Sequence, residues 1–150
     1  MNTAPTPSDS TNPRPRMPAE STTPQLGIPK VALISIVDDD ESVREALKSL
    51  IDSVGFHAEV FASAEEFLHS QSLAKTDCLI ADVRMPGIDG LELQDRLKTA
   101  NSNIPIIFIS AHDDGDARAR GLRAGAVDFL QKPFSEDSLL RAISISLDEA

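Results

Sequence analysis

Short apolar runs alternate with polar stretches of helical periodicity along most of this chain. Five runs are rich in β-branched or aromatic residues and are bounded by polar or turn residues, which is typical of strands. These runs are VALISIV (31–37), HAEVF (57–61), DCLIA (77–81), PIIFIS (105–110) and VDFLQ (127–131). Because the segments between them are long enough for helices, the pattern predicts five strands alternating with five helices.

The segments between the runs also carry signals of helix ends. In the first segment apolar residues recur on one helix face, and Gly55 follows as a stop. Residues 63–66 (SAEE) and 89–92 (DGLE) have the spacing of capping boxes for the second and third helices. Gly125 is placed to end the fourth helix, and Ser135, followed by two acids, to begin the fifth.

Alternating strands and helices indicate an α/β fold. Right-handed βαβ crossovers produce a parallel sheet covered by helices on both faces, so we expect a doubly wound, five-stranded parallel sheet. In such a sheet the ligand crevice lies beyond the carboxyl ends of the strands, where the strand order reverses. Functional residues are therefore expected at those ends.

Composition divides the chain into two segments. Seven of the ten prolines fall in residues 1–30, which also lack aromatic residues, so we predict a disordered Pro/Ser/Thr-rich extension there and one folded domain over residues 31–148. The net charge of −10 disfavours direct nucleic-acid binding. The N-terminus has neither a signal-peptide pattern nor a membrane span, so no membrane association and a cytoplasmic location are expected.

The carboxyl ends of four predicted strands carry groups suited to phosphoryl chemistry. They are Asp38, Asp39 and Asp40 at the end of the first strand, Asp82 at the end of the third, Ser110 at the end of the fourth and Lys132 directly after the fifth. Clustered carboxylates suit Mg²⁺, which prefers oxygen ligands. Each group alone is more typical of a turn or a helix start. Their joint placement favours an aspartate nucleophile, with a metal and a lysine neutralising charge and a hydroxyl donating to the phosphoryl oxygens.

Four motifs follow one another along the chain: VDDDESVREAL, LIADVRMPGIDG, IIFISAHDD and RAGAVDFLQKPF. In this order they resemble the receiver domain of two-component response regulators, most of all receivers of the nitrogen-fixation regulator type. The resemblance covers about residues 30–147 and implies the flavodoxin-like (βα)5 fold with strand order 2-1-3-4-5.

The resemblance assigns the metal site and the phosphoacceptor. It makes Asp82 the phosphoacceptor, and it places Asp38, Asp39 and Asp82 around Mg²⁺, for which Mn²⁺ can substitute. Asp39 would coordinate directly and Asp38 through water, with the backbone carbonyl of Arg84 completing the protein ligands. Asp40 is then only an acid at the start of a helix.

The resemblance also assigns the switch residues. Ser110 and Phe129 form the switch, in which phosphorylation draws Ser110 toward the phosphoryl group and lets Phe129 turn inward. Lys132 is the lysine of the phosphorylation site, and the bond to Pro133 is expected to be cis.

Two further residues, Arg84 and His112, flank the expected pocket. Side chains there can block or position the hydrolytic water. Both are therefore candidates for setting the lifetime of the aspartyl phosphate.

The function implied is that of a phosphorelay receiver. A sensor histidine kinase or a phosphotransfer protein would supply the phosphoryl group, and the chain would catalyse only its own phosphorylation and dephosphorylation, so it is not expected to be an enzyme in the usual sense. Output would pass to a downstream protein or to an output domain that this sequence lacks. On the fifth helix Leu140, Ile143 and Leu147 form the expected core face, whereas Ile145 points elsewhere and suggests a phosphorylation-dependent homodimer.

Two other functions stay open at this level. Residues 38–42 (DDDES) superficially fit the nucleophile motif of haloacid-dehalogenase-like phosphohydrolases, although that assignment leaves Asp82 unexplained. A pseudo-receiver would keep the fold as a binding module without phosphorylation. The complete set of Asp, Ser and Lys argues against it.

Overall fold

The computed structural model describes residues 31–149, so the predicted extension over residues 1–30 lies outside the described residues. Within these described residues there are five strands: β1 Leu33–Val37, β2 His57–Phe61, β3 Cys78–Asp82, β4 Ile106–Ser110 and β5 Asp128–Gln131. They pair in parallel in the order β2-β1-β3-β4-β5. The predicted strand order is confirmed.

In the same described part of the chain, five α-helices connect or follow the strands. They are α1 Glu41–Ser53, α2 Ala64–Leu68, α3 Gly90–Thr99, α4 Gly115–Arg123 and α5 Glu136–Glu149. The second helix is only 5 residues long and is followed by a 3-10 turn, Gln71–Ala74. Two residues beyond its end, the Ser70 hydroxyl donates to the Phe67 carbonyl and so competes with a continuing helix.

The helix starts use side-chain caps. Ser63 and Asp89 each accept the backbone N–H three residues on, as expected of an N-cap. The reciprocal halves of the predicted capping boxes are absent from these two caps, because the Glu66 carboxylate accepts from the Ala62 N–H and Glu92 pairs with Arg96 one turn along α3. The predicted helix starts are therefore right and the predicted boxes are wrong.

Apolar side chains cover both faces of the sheet. On one face a cluster joins Leu79 and Phe108 to residues of α2, α3 and α4. On the other face a cluster joins Ile80 and Ile107 to residues of α1 and α5. Every residue of β3 is buried, as the central strand of a doubly wound sheet requires.

The face of α5 that enters the core differs from the expected one. Leu139, Ala142 and Ile143 are buried with Ser146, whereas Leu140 and Leu147 are only partly buried against the same cluster. The Ser146 hydroxyl donates to the Ala142 carbonyl within the helix, so this polar residue can be buried. The large apolar residues alone therefore predict a core face of α5 that is shifted by one residue from the buried one.

Candidate functional site

The carboxyl ends of β1, β3 and β5 bring two acids and a lysine together. Asp82 is the last residue of β3, paired with Ile109, at the strand end where the sequence predicts it. Asp38 follows β1 directly, and its backbone N–H donates to the Phe61 carbonyl at 3.1 Å. Both acids are thus positioned by sheet hydrogen bonds and not by flexible loops.

Lys132 lies between the two carboxylates. Its Nζ is 3.0 Å from Asp38 Oδ2 and 3.4 Å from Asp82 Oδ2. The Asp38 side chain is fully buried, and its Oδ1 accepts the Asp40 N–H at 2.9 Å. Because a buried carboxylate requires such partners, Lys132 and the Asp40 amide compensate much of the cost of placing Asp38 there.

The electrostatics make the Asp82 carboxylate more basic than an ordinary aspartate. Burial raises the pKa of Asp82 to about 6, with the Arg84 backbone N–H and Lys132 opposing the shift and Asp38 adding to it. Burial alone would lower the pKa of Lys132, but the hydrogen bond to Asp38 and the charge of Asp82 outweigh it and leave that pKa raised. Lys132 therefore stays protonated beside the acids.

The donor set fits a hard divalent cation. Carboxylate oxygens of Asp38, Asp39 and Asp82 all lie within 4.8 Å of one another. Carboxylates this close repel one another, and a bound Mg²⁺, which prefers oxygen ligands, would offset that repulsion. Asp40 stands apart from this group, because its side chain caps α1 through the Ser42 and Val43 N–H groups.

The Arg84 main chain belongs to the same rim. Its N–H donates to Asp82 Oδ1 at 3.1 Å. The assignment of the Arg84 carbonyl as a metal ligand stays a prediction.

Ser110 lies at the end of β4, buried, with its hydroxyl turned toward the loop before α4. Its Oγ accepts the His112 N–H and donates to the His112 carbonyl, both at 3.1 Å. The hydroxyl therefore already has partners, and any movement toward Asp82 must exchange them. The His112 side chain is on the exposed surface of this loop.

Phe129 is buried in the cluster that underlies α4, with its ring centroid 6.3 Å from that of Phe108. Arg118 of α4 covers it, with the guanidinium 5.8 Å from the ring centroid and Nη1 donating to the Phe129 carbonyl at 2.9 Å. In this structure the ring thus occupies the inward position. Its change of position on phosphorylation stays a prediction.

Two glycines allow the close packing around Asp82 and Phe108. A Cβ on Gly90, the first residue of α3, would lie 2.5 Å from the Asp82 carbonyl oxygen. A Cβ on Gly121 of α4 would lie 2.8 Å from the Phe108 ring. Helix α3 therefore begins directly against the backbone of the candidate phosphoacceptor.

Some contacts of the site have no counterpart in the sequence predictions. Arg84 forms an ion pair with Asp114, which also caps α4. Arg118 covers Phe129, and Arg44 donates to the Asp38 carbonyl at 2.9 Å. An acid followed by glycine before a helix does signal the Asp114 cap, but no spacing rule connects it with a residue 30 positions away.

The Lys132–Pro133 peptide bond is cis. The Lys132 N–H donates to the Ser110 carbonyl at 2.7 Å, so the loop after β5 is tied to the end of β4.

A five-stranded doubly wound sheet with an acid cluster and a lysine at its carboxyl rim is typical of one class of protein, the response regulator receivers. The chain belongs to the response regulator receiver domain family, whose model matches residues 34–144. Members of this family act as signalling modules in two-component systems.

Several named response regulators are similar in sequence or structure to this chain. It is 48% identical over 118 residues to the response regulator protein TodT of Pseudomonas putida, covering 79% of this chain and 52% of TodT. It is 39% identical over 117 residues to the transcriptional regulatory protein FixJ of Bradyrhizobium diazoefficiens, covering 78% of this chain and 57% of FixJ. The solved structure of the response regulator StyR superimposes with a TM-score of 0.72 at 45% identity, covering 79% of this chain and 60% of StyR.

The chain spans about half the length of the curated relatives that it matches. The predicted similarity to the nitrogen-fixation type is confirmed by FixJ. Within residues 31–149, no helix has the length and apolar character needed to cross a membrane.

Proposed function

We propose that this chain is a phosphoacceptor receiver, phosphorylated on Asp82 by a sensor histidine kinase or a phosphotransfer protein. The observation that carries the proposal is the convergence on Asp82: its Oδ2 lies 3.4 Å from Lys132 Nζ, and its carboxylate is grouped with those of Asp38 and Asp39. The raised basicity of Asp82 supports a nucleophilic role.

In the proposed reaction, a carboxylate oxygen of Asp82 attacks the phosphorus of a phosphohistidine. The new O–P bond forms as the P–N bond breaks, and the imidazole of the donor leaves with the electron pair of that bond. Lys132 neutralises charge on the transferring group, and the Arg84 N–H orients the attacking carboxylate. Mg²⁺, held by Asp38, Asp39 and Asp82 with the Arg84 carbonyl, would supply additional charge neutralisation, and Mn²⁺ can replace it.

The signal would be a shift of conformation at the β4–α4 side. Ser110 exchanges its His112 partners for a phosphoryl oxygen, and the surface that contains Phe129 responds. The output is read by a downstream protein or by a further domain. Phosphorylation would also promote homodimerisation through the surface around Ile145, which is 44% exposed. We place this exchange in the cytoplasm, where the donor's phosphohistidine would be presented. Catalysis is limited to the chain's own phosphorylation and dephosphorylation.

Intact mass after incubation with acetyl phosphate tests the proposal directly. We expect one Mg²⁺-dependent phosphoryl addition that Asp82→Asn abolishes. Failure to add phosphate or to bind Mg²⁺ would instead support a pseudo-receiver. Rapid release of phosphate that survives Asp82→Asn but is lost in Asp38→Asn would support a haloacid-dehalogenase-like phosphohydrolase.

A further inference from the structure

An ion pair bridges two loops beside the phosphoacceptor. The Arg84 guanidinium, in the loop after β3, contacts Asp114 Oδ2, in the loop before α4. The Arg84 side chain is 59% exposed and that of Asp114 only 15%. The pair therefore joins the loop after β3 to the loop after β4, and its acidic end is the less exposed one.

Asp114 divides its carboxylate between two tasks. While Oδ2 contacts Arg84, Oδ1 accepts the Ala117 N–H at 3.2 Å and caps α4. The cap gives Asp114 a fixed position that does not depend on the arginine. Arg84, in contrast, has a long side chain whose position depends on the partner available to it.

The guanidinium is held away from the phosphoacceptor. The cation that contacts Asp82 Oδ2 is Lys132, whereas Arg84 reaches Asp82 through its backbone N–H, at Oδ1. The backbone of Arg84 is therefore fixed beside Asp82, while its guanidinium contacts the carboxylate of Asp114.

We propose that Asp114 is a positioning residue, which holds Arg84 at the α4 side of the site and competes with the aspartyl phosphate for its guanidinium. This inference rests on the proposed phosphorylation of Asp82. A phosphoryl group brings roughly −1.5 to −2 charge and three strong acceptors to that position. A guanidinium binds such a group in a bidentate manner, so the phosphoryl group and Asp114 compete for one side chain.

The competition has a kinetic consequence. When Arg84 contacts the phosphoryl group, it stabilises the phosphorylated state and occupies space through which water approaches. Asp114 therefore shortens the lifetime of the aspartyl phosphate. Removing only the charge of Asp114 should lengthen that lifetime, but only while Arg84 is present.

The chain offers a matched substitution for this test. Asp114→Asn removes the charge yet keeps an N-cap of about equal preference, so α4 retains its start. We expect the aspartyl phosphate of Asp114→Asn to decay about twofold to fivefold more slowly than that of the wild type, the range of an exposed ion pair. In the Arg84→Ala background, the same change should leave the decay rate unaltered.

The experiment compares four full-length proteins: wild type, Asp114→Asn, Arg84→Ala and the double variant. Each is phosphorylated with acetyl phosphate and Mg²⁺, freed of donor, and followed by intact mass. Slower decay that requires Arg84 supports the proposal, because a purely structural effect of Asp114 would appear in both backgrounds. High salt should reduce the difference between wild type and Asp114→Asn.

Several results would overturn the proposal. Unchanged or faster decay in Asp114→Asn, or equal slowing in both backgrounds, refutes it while leaving phosphorylation of Asp82 intact. Failure of the wild type to accept phosphate refutes the proposed function and this inference together. If Asp114→Asn does not fold, Asp114→Ser, another neutral N-cap, replaces it in the same comparison.

Discussion

Replacing Asp82 by asparagine should make the domain more stable at neutral pH. Burial raises the pKa of Asp82 to about 6, from 3.8 in an unfolded chain, so the folded protein holds this carboxylate in an unfavourable place. Between those values the folded state binds more protons than the unfolded state, and the stability of the wild type falls as the pH rises through this window. Above about pH 7 the destabilisation is complete.

The size of the effect follows from that pKa. A shift of roughly two units corresponds to about 3 kcal/mol, at about 1.4 kcal/mol per unit. That pKa already includes the attraction between Asp82 and Lys132, and in the variant Lys132 keeps its Asp38 contact at 3.0 Å. We therefore expect a net gain of about 1–3 kcal/mol in the free energy of unfolding at pH 7.5, vanishing below about pH 4.

Urea unfolding followed by far-UV circular dichroism measures this gain, because the chain has neither Trp nor Tyr to report by fluorescence. Both proteins are compared in EDTA at pH 7.5 and pH 4. Asp95→Asn, at an exposed position of α3, controls for the general loss of one negative charge. A gain of the same size at both pH values, a gain matched by Asp95→Asn, or a loss at pH 7.5 would refute the reasoning.

Three further outcomes are expected. Mg²⁺ at about ten times its Kd should raise the unfolding free energy of the wild type by about 1.4 kcal/mol. Asp39→Asn should show a smaller gain at the same Mg²⁺ concentration. An equal gain would show that Asp39 is not a metal ligand. Gly90→Ala places a Cβ 2.5 Å from the Asp82 carbonyl oxygen, so it should slow phosphorylation by acetyl phosphate and lower stability by about 1–3 kcal/mol. A wild-type rate of phosphorylation would show that the backbone accommodates the Cβ without moving Asp82. Arg118→Ala removes the contact over Phe129 and should cost about 1 kcal/mol in urea unfolding, and a neutral result would show that the cover is not stabilising.

The sequence predicts the layered fold well because its signals are local. Each β-branched run became a strand, and Ser63, Asp89 and Gly125 mark helix ends by rules that operate within one turn. Strand order rests on the resemblance, since pairing between distant strands has no local signal. The acid rim was predictable because parallel strands place their carboxyl ends together.

What the sequence missed depends on side-chain contacts between separate elements. The pair between Arg84 and Asp114 joins two loops whose approach is fixed only when α3 and α4 are packed. The contact of Arg118 with the Phe129 ring likewise joins α4 to β5 across a distance that no local pattern reports. The α5 face was misplaced because Ser146, a polar residue, is buried with its hydroxyl satisfied inside the helix.

The complete burial of β3 has a consequence for how activity is lost. Opening this strand exposes apolar surface on both sides of the sheet at once, so its amide hydrogens should exchange only through global unfolding. The candidate phosphoacceptor Asp82 terminates that strand and should therefore survive any partial opening of the surrounding helices. Destabilising variants at the periphery should retain phosphorylation in proportion to their folded fraction, and lose it at the unfolding midpoint.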